Sequence, residues 1–136
     1  MNDLILNKIV SIQRCVKRAR DEYAEAGADF LTDYTRQDAA ILNLMRACEQ
    51  AIDLANHLVK GKKLGVPTDS AESFELLARE GIVPPELASH LKKMIGFRNT
   101  VIHEYQTVNM EIVRTIITED TADLIRFTEL LLPHAE

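Results

Sequence analysis

The sequence has little that interrupts a helix: five glycines and four prolines in 136 residues, and no low-complexity run. That scarcity argues against long disordered segments, and only the stretches 27–35 and 61–68 read as irregular. Aromatics are few, at 5%, so a core must be built chiefly from aliphatic side chains. No apolar run approaches the ~20 residues of a membrane span. The opening Met1-Asn2-Asp3 lacks the basic region and cleavage site of a signal peptide. No membrane association and a cytoplasmic location are therefore expected. The two cysteines, Cys15 and Cys48, sit mid-helix in apolar stripes and read as small buried hydrophobes. Also missing are Cys-x-x-Cys, a glycine-rich phosphate loop, a serine elbow and a Glu-x-x-His pair. His57, His90, His103 and His134 have no metal-ligand spacing. Neither a metal nor a cofactor is expected.

Apolar residues make up 46% and charged residues 27%, ordinary for one globular domain over residues 1–136. The net charge of −5 argues against a general nucleic-acid coat protein. No basic helix with interleaved aromatics suggests DNA reading. Three local basic clusters stand out: Arg14, Lys17, Arg18 and Arg20; Lys60, Lys62 and Lys63; and Lys92, Lys93 and Arg98. Such clusters are most often solvated helix faces.

No segment has strand periodicity and none repeats. Helical spacing of apolar residues predicts an all-α bundle of four long helices and one short one. Helix 1 is expected over 2–26, with Asn2 as N-cap and residues 5, 9, 12, 16, 19 and 23 inward. Phe30, Leu31 and Tyr34 follow, available to tuck under the core. Helix 2 is expected over 35–60, opened by a capping box at Thr35-Arg36-Gln37-Asp38 and closed by Gly61. Its polar face (Asn43, Arg46, Glu49, Gln50, Asp53, Asn56, His57) reads as wet. Glu49, Asp53 and His57 share one row, and the two acids are candidate partners for a cation from another helix. Helix 3 is expected over 70–80 behind an Asp69–Glu72 capping box. Helix 4 runs from Pro84-Pro85-Glu86 to about Tyr105, and helix 5 over 109–132, ended by Pro133. The apolar sectors are wide, so one face could be buried against a second copy.

Helix 4 holds the chemistry. On an ideal wheel Leu87, Leu91, Met94, Ile95, Val101, Ile102 and Tyr105 form its core stripe, and Arg98 falls about 20° from Leu87, inside that stripe. A permanent cation there needs a carboxylate, a bound anion or room to snorkel. Gly96, Asn99 and His103 form a separate row, with Gly96 leaving space for close approach. Arg98 and His103 lie about 140° apart on a straight helix, so a shared site needs a cleft, a bent helix end or two copies meeting. If they converge, a forked phosphate ligand meets an imidazole that can exchange a proton near neutrality. RNA carries its own nucleophile, the 2′-OH, so RNA phosphodiester cleavage without a metal is the natural reaction class. Arg and His at this spacing are near chance. Requiring Asn after the Arg and Tyr two beyond the His lowers chance roughly a thousandfold.

The run Arg98-Asn99-Thr100-Val101-Ile102-His103-Glu104-Tyr105 resembles the motif of HEPN-domain proteins of the HepT type. The resemblance extends over nearly the whole chain, through the opening Met1-Asn2-Asp3…Asn7-Lys8-Ile9, the run Leu42-Asn43-Leu44…Glu49-Gln50-Ala51-Ile52-Asp53-Leu54-Ala55-Asn56-His57 and the lead-in Leu91-Lys92-Lys93-Met94-Ile95-Gly96-Phe97. The resemblance implies a homodimeric HEPN-type bundle and the toxin half of a type VII HepT–MntA toxin–antitoxin pair. It implies a metal-independent endoribonuclease site from Arg98 and His103 of both copies, assisted by Asn99. It further implies an MntA-type nucleotidyltransferase partner that silences the toxin by transferring AMP to Tyr105. The alternative is a non-catalytic helical module that binds nucleotide or docks the partner.

Overall fold

The structure, a computed structural model, describes residues 3–135, the side chain of Gln106 excepted. Every regular element among them is helical: α1 Asp3–Ala26, α2 Tyr34–Gly61, α3 Ser70–Arg79, α4 Pro85–Glu104, α5 Met110–Thr115 and α6 Thr121–Leu131. In α1 the periodic residues Ile5, Ile9, Ile12, Val16 and Ala19 are all buried. The expected cap Asn2 lies outside the described residues. Both cysteines are buried and free, as their stripes required.

The turn after α1 departs from expectation. Only Phe30 packs inward, edge-on to Tyr23 with centroids 5.0 Å apart, while Leu31 and Tyr34 stay 42% and 74% exposed. The Asp33 amide donates to the Asp29 carbonyl at 2.8 Å, and this tight reversal lets one of the three apolar side chains reach the core. The cap of α2 is Asp33, not Thr35. Its carboxylate accepts from the Arg36 amide at 3.0 Å, satisfying a first-turn N–H that the Thr35 box would have served. Asn43, expected on a wet face, is buried and donates to the Ala39 carbonyl at 2.9 Å. The Asp69 cap forms as expected, accepting from the Glu72 amide at 2.9 Å.

The single helix expected over 109–132 is divided. One π-type turn, Ile116–Asp120, separates α5 from α6. An extra residue in such a turn shifts the phase of the faces. Val113, Ile116 and Ile117 before it and Leu124, Phe127 and Leu131 after it then reach the same core, while Ile112 is left 52% exposed.

Cross-helix pairs define the packing. α1 and α2 run antiparallel, tied by Lys8–Asp53 (3.4 Å) at one end and Arg36–Glu22 (2.7 Å) at the other. α6 returns antiparallel along the other side of α1, where Gln13 donates to Thr128 and Arg20 to Thr121, each at 3.1 Å. The α3–α4 hairpin closes the core, with Phe74 edge-on to Phe127 at 5.5 Å. Phe127 is wholly buried, so Phe127→Ala leaves a cavity. It is expected to cost about 3–5 kcal/mol, read as a lower urea midpoint at unchanged slope.

Candidate functional site

The first half of α4 is held from two sides: Lys92 pairs with Glu75 of α3, and His90 (3.2 Å) and Glu86 pair with Asp123 and Arg126 of α6. Its last turns meet α2 instead, through Arg98–Glu49 and Tyr105–Asp38. One flank of that end is therefore open. Ile102 and Tyr105, expected on the core stripe, are 55% and 47% exposed, whereas Leu87, Leu91, Met94, Ile95 and Val101 are buried as expected.

Arg98 sits where α4 crosses α2, with its side chain 17% exposed. One terminal nitrogen, Nη1, donates to Glu49 Oε1; the other, Nη2, donates to Asn99 Oδ1 at 3.0 Å. Its Nε is buried with no acceptor among the described residues. The Glu49 carboxylate offsets the cost of a permanent charge on an otherwise apolar stripe. Cys48 lies beside the pair, but burial pushes its thiol up to about 12 despite the nearby guanidinium. It therefore stays neutral and is no counter-ion.

Asp53, the other acid expected to reach Arg98, pairs with Lys8 of α1. It lies one turn further along α2, past the crossing and rotated about 40° from Glu49 toward α1.

Asn99 and His103 are exposed on the open flank. Gly96 precedes them, and a Cβ there would meet nothing within 4 Å, so no part of this chain uses the space it leaves. The backbone departs from helical geometry at Glu104 (φ −140°, ψ 47°), and Tyr105–Thr107 form a single 3-10 turn. Ile102, His103, Glu104, Tyr105 and Thr107 line an open depression of about 720 Å³ there. The Tyr105 hydroxyl donates to Asp38 Oδ1. That hydrogen bond, then partial burial and the carboxylate charge, push the phenol up to about 12.

Asp38 was read from sequence only as part of a capping box. A signal for it existed: Asp38 and Glu49 are eleven residues apart, about 20° on the wheel, so they share one face of α2. Arg98 and Tyr105, seven residues apart on an antiparallel helix, meet that face in order. The arrangement thus presents a cation, an amide, an imidazole and a phenol along one open helix end. Within one chain Arg98 and His103 still project from different sides of α4.

Such an end on an all-α bundle defines a HEPN-type domain, and solved structures agree. The chain superposes on a tri-AMPylated Shewanella oneidensis HEPN toxin in complex with its MNT antitoxin with a TM-score of 0.92, at 41% identity, covering 98% of this chain and 99% of that one. Residues 12–131 match the family described as ribonuclease HepT-like, and the chain belongs to that family. It is 43% identical to the mRNA nuclease HepT of Shewanella oneidensis, over 96% of this chain and 98% of the relative. It is 30% identical to the tRNA nuclease HepT of Aphanizomenon flos-aquae, over 60% of this chain and 55% of the relative.

The Tyr105–Asp38 contact has a spectroscopic consequence. A phenol whose folded value is raised contributes stability below the ordinary tyrosine range, and that contribution is lost as pH rises toward about 12. Alkaline titration of tyrosinate absorbance should show one late-ionising tyrosine. Tyr105→Phe should remove that step, and Asp38→Asn should move it to lower pH.

Proposed function

We propose that this protein is the toxin of a HepT–MntA-type toxin–antitoxin pair: a metal-independent endoribonuclease, active as a homodimer and silenced when a cognate nucleotidyltransferase transfers AMP to Tyr105. The observation that carries this reading is the Arg98-Asn99-x-x-x-His103-x-Tyr105 run on an open helix end, within a family whose relatives carry nuclease names.

The chemistry follows from those groups. His103 takes the proton from the RNA 2′-oxygen, which attacks the adjacent phosphorus. The O2′–P bond forms and the P–O5′ bond breaks. A second imidazole protonates the departing 5′-oxygen, leaving a 2′,3′-cyclic phosphate. Arg98 stabilises the crowded phosphate by its permanent charge. Asn99, bonded to the guanidinium, steadies it. The angle between Arg98 and His103 favours a site completed by a second copy, which supplies the other imidazole. RNA brings its own nucleophile, so no metal is needed to generate one.

Tyr105 suits its regulatory role. Its oxygen attacks the α-phosphorus of ATP, pyrophosphate leaves, and the phenolic proton passes to a base; Asp38 already accepts that hydrogen bond. The product oxygen can no longer donate to Asp38. The new phosphate carries negative charge toward Arg98 and repels the substrate phosphate.

A second reading, a non-catalytic nucleotide- or partner-binding module, has one observation in its favour: the Arg98 fork is already occupied by Glu49 and Asn99.

The two readings separate on RNA cleavage in EDTA. Wild type is expected to cleave a mixed RNA pool to cyclic-phosphate ends, with Arg98→Ala and His103→Ala each reducing the rate at least 100-fold, on the order expected for a lost acid–base or oxyanion group. Cleavage by both variants would overturn the roles of Arg98 and His103, and cleavage by none of the three proteins, with intact mass showing no AMP, would favour the binding module. With the nucleotidyltransferase and ATP, wild type should gain AMP by intact mass and Tyr105→Phe should gain none.

A further inference from the structure

Charge is distributed unevenly along the α1–α2 seam. The Lys8–Asp53 and Glu22–Arg36 pairs fix the antiparallel register of the two helices and close the seam with opposite charges at each end. Between them the pattern changes. Residues 9–20 of α1 and 39–48 of α2 contain Arg14, Lys17, Arg18, Arg20 and Arg46 and no carboxylate, in a chain whose net charge is −5. Lys17 is paired with Asp21, and Arg20 bonds to Thr121. Arg14, Arg18 and Arg46 are exposed and make no ion pair or side-chain hydrogen bond among the described residues.

Placement brings the three together. Arg14 and Arg18 are one turn apart on α1, and Arg18 is one turn before Glu22, on the seam edge. Arg46 lies two turns before Asp53 on the seam edge of α2. The register set by the two end pairs puts Arg46 opposite the stretch 12–18 of α1. The acids nearest to them, Glu22 and Glu49, are already paired with Arg36 and Arg98, so an anion shared among the three like charges is favourable. Arg46 is also the i−3 neighbour of Glu49, about 5–6 Å between Cβ atoms, and Glu49 holds Arg98. The cationic patch therefore continues from the candidate site across α2 rather than standing apart from it.

The opposite flank of α4 has the reverse character. A groove of about 570 Å³ there is lined by Glu119, Asp120 and Asp123 beside His90 and Lys93, with His90 paired to Asp123, so acids outnumber cations. A polyanion reaching Arg98 meets fewer acids along the α1–α2 side.

We infer that Arg14, Arg18 and Arg46 grip the phosphates of the single RNA strand flanking the bond to be cleaved; the inference rests on the ribonuclease reading above. Arginine suits the task because its guanidinium stays charged and forks onto phosphate oxygens. Backbone contacts of this kind hold the strand without reading its bases.

The test uses the full chain carrying His103→Ala, so that bound RNA is not cut, and a fluorescent single-stranded RNA followed by anisotropy. Adding Arg14→Gln, Arg18→Gln and Arg46→Gln should weaken binding about tenfold or more at 0.15 M salt. The slope of log affinity against log salt should shrink by about 2, the loss of three phosphate contacts. The control Lys60→Gln, Lys62→Gln, Lys63→Gln removes the same charge about 21 Å further along α2 and should change affinity less than about twofold. With His103 restored, the arginine variants should raise KM while kcat holds. Unchanged affinity, equal loss in the lysine control, or no RNA binding even at low salt would each overturn the inference. So would unchanged RNA binding with weakened binding to the nucleotidyltransferase, which would assign the patch to an acidic protein. Arginine-dependent binding of RNA that wild type never cleaves would sink the ribonuclease reading and leave the patch standing.

Discussion

One ion pair governs the arrangement of the site. Arg98 carries a charge it cannot lose, on a helix stripe where Leu87, Leu91, Met94, Ile95 and Val101 are buried. Its position is tolerable only because α4 crosses α2 where Glu49 can meet it. That crossing directs the last turns of α4 away from α6, leaves Asn99 and His103 in solvent, and sets Tyr105 over Asp38. Loss of the Glu49 carboxylate would therefore do more than remove a contact. A largely buried guanidinium would be left without its counter-ion, and the helix end that carries Asn99, His103 and Tyr105 would have to move.

The charge map divides the surface by function. On the ribonuclease reading proposed above, an acidic chain must confine its attraction for phosphate to one region, or the polyanion would be held at the wrong place or not at all. Outside the α1–α2 seam Lys92, Arg114 and Arg126 are each offset by a carboxylate close at hand. The mid-seam arginines are not. In the groove beyond α4 three acids outnumber Lys93 and His90, which disfavours approach from that side.

Local chemistry was readable wherever it was local. The Asp69 cap, the proline start of α4, the buried cysteines and the stripe of α1 each depend on residues within a turn or two. They form as their spacing indicates. Expectations failed where two acceptable local solutions competed. Thr35 and Asp33 both can cap α2, and the tight reversal at Asp29 selects Asp33. A continuous helix over 109–132 satisfies the apolar pattern nearly as well as the observed pair. The π-type turn wins because it aligns Val113 and Phe127 with one core, at the expense of Ile112.

By itself the sequence determined the all-α class, the helix count to within one break, and the order Arg98, Asn99, His103, Tyr105 along one helix. Periodicity and residue chemistry are properties of a single segment, so one segment suffices to read them. Only the tertiary structure decided which carboxylates those groups meet: Glu49 with Arg98, Asp38 with Tyr105, and Asp53 drawn off to Lys8. A cross-helix contact depends on the crossing point and register of two helices. Those are set by how the whole aliphatic core interdigitates, and no single segment contains that information.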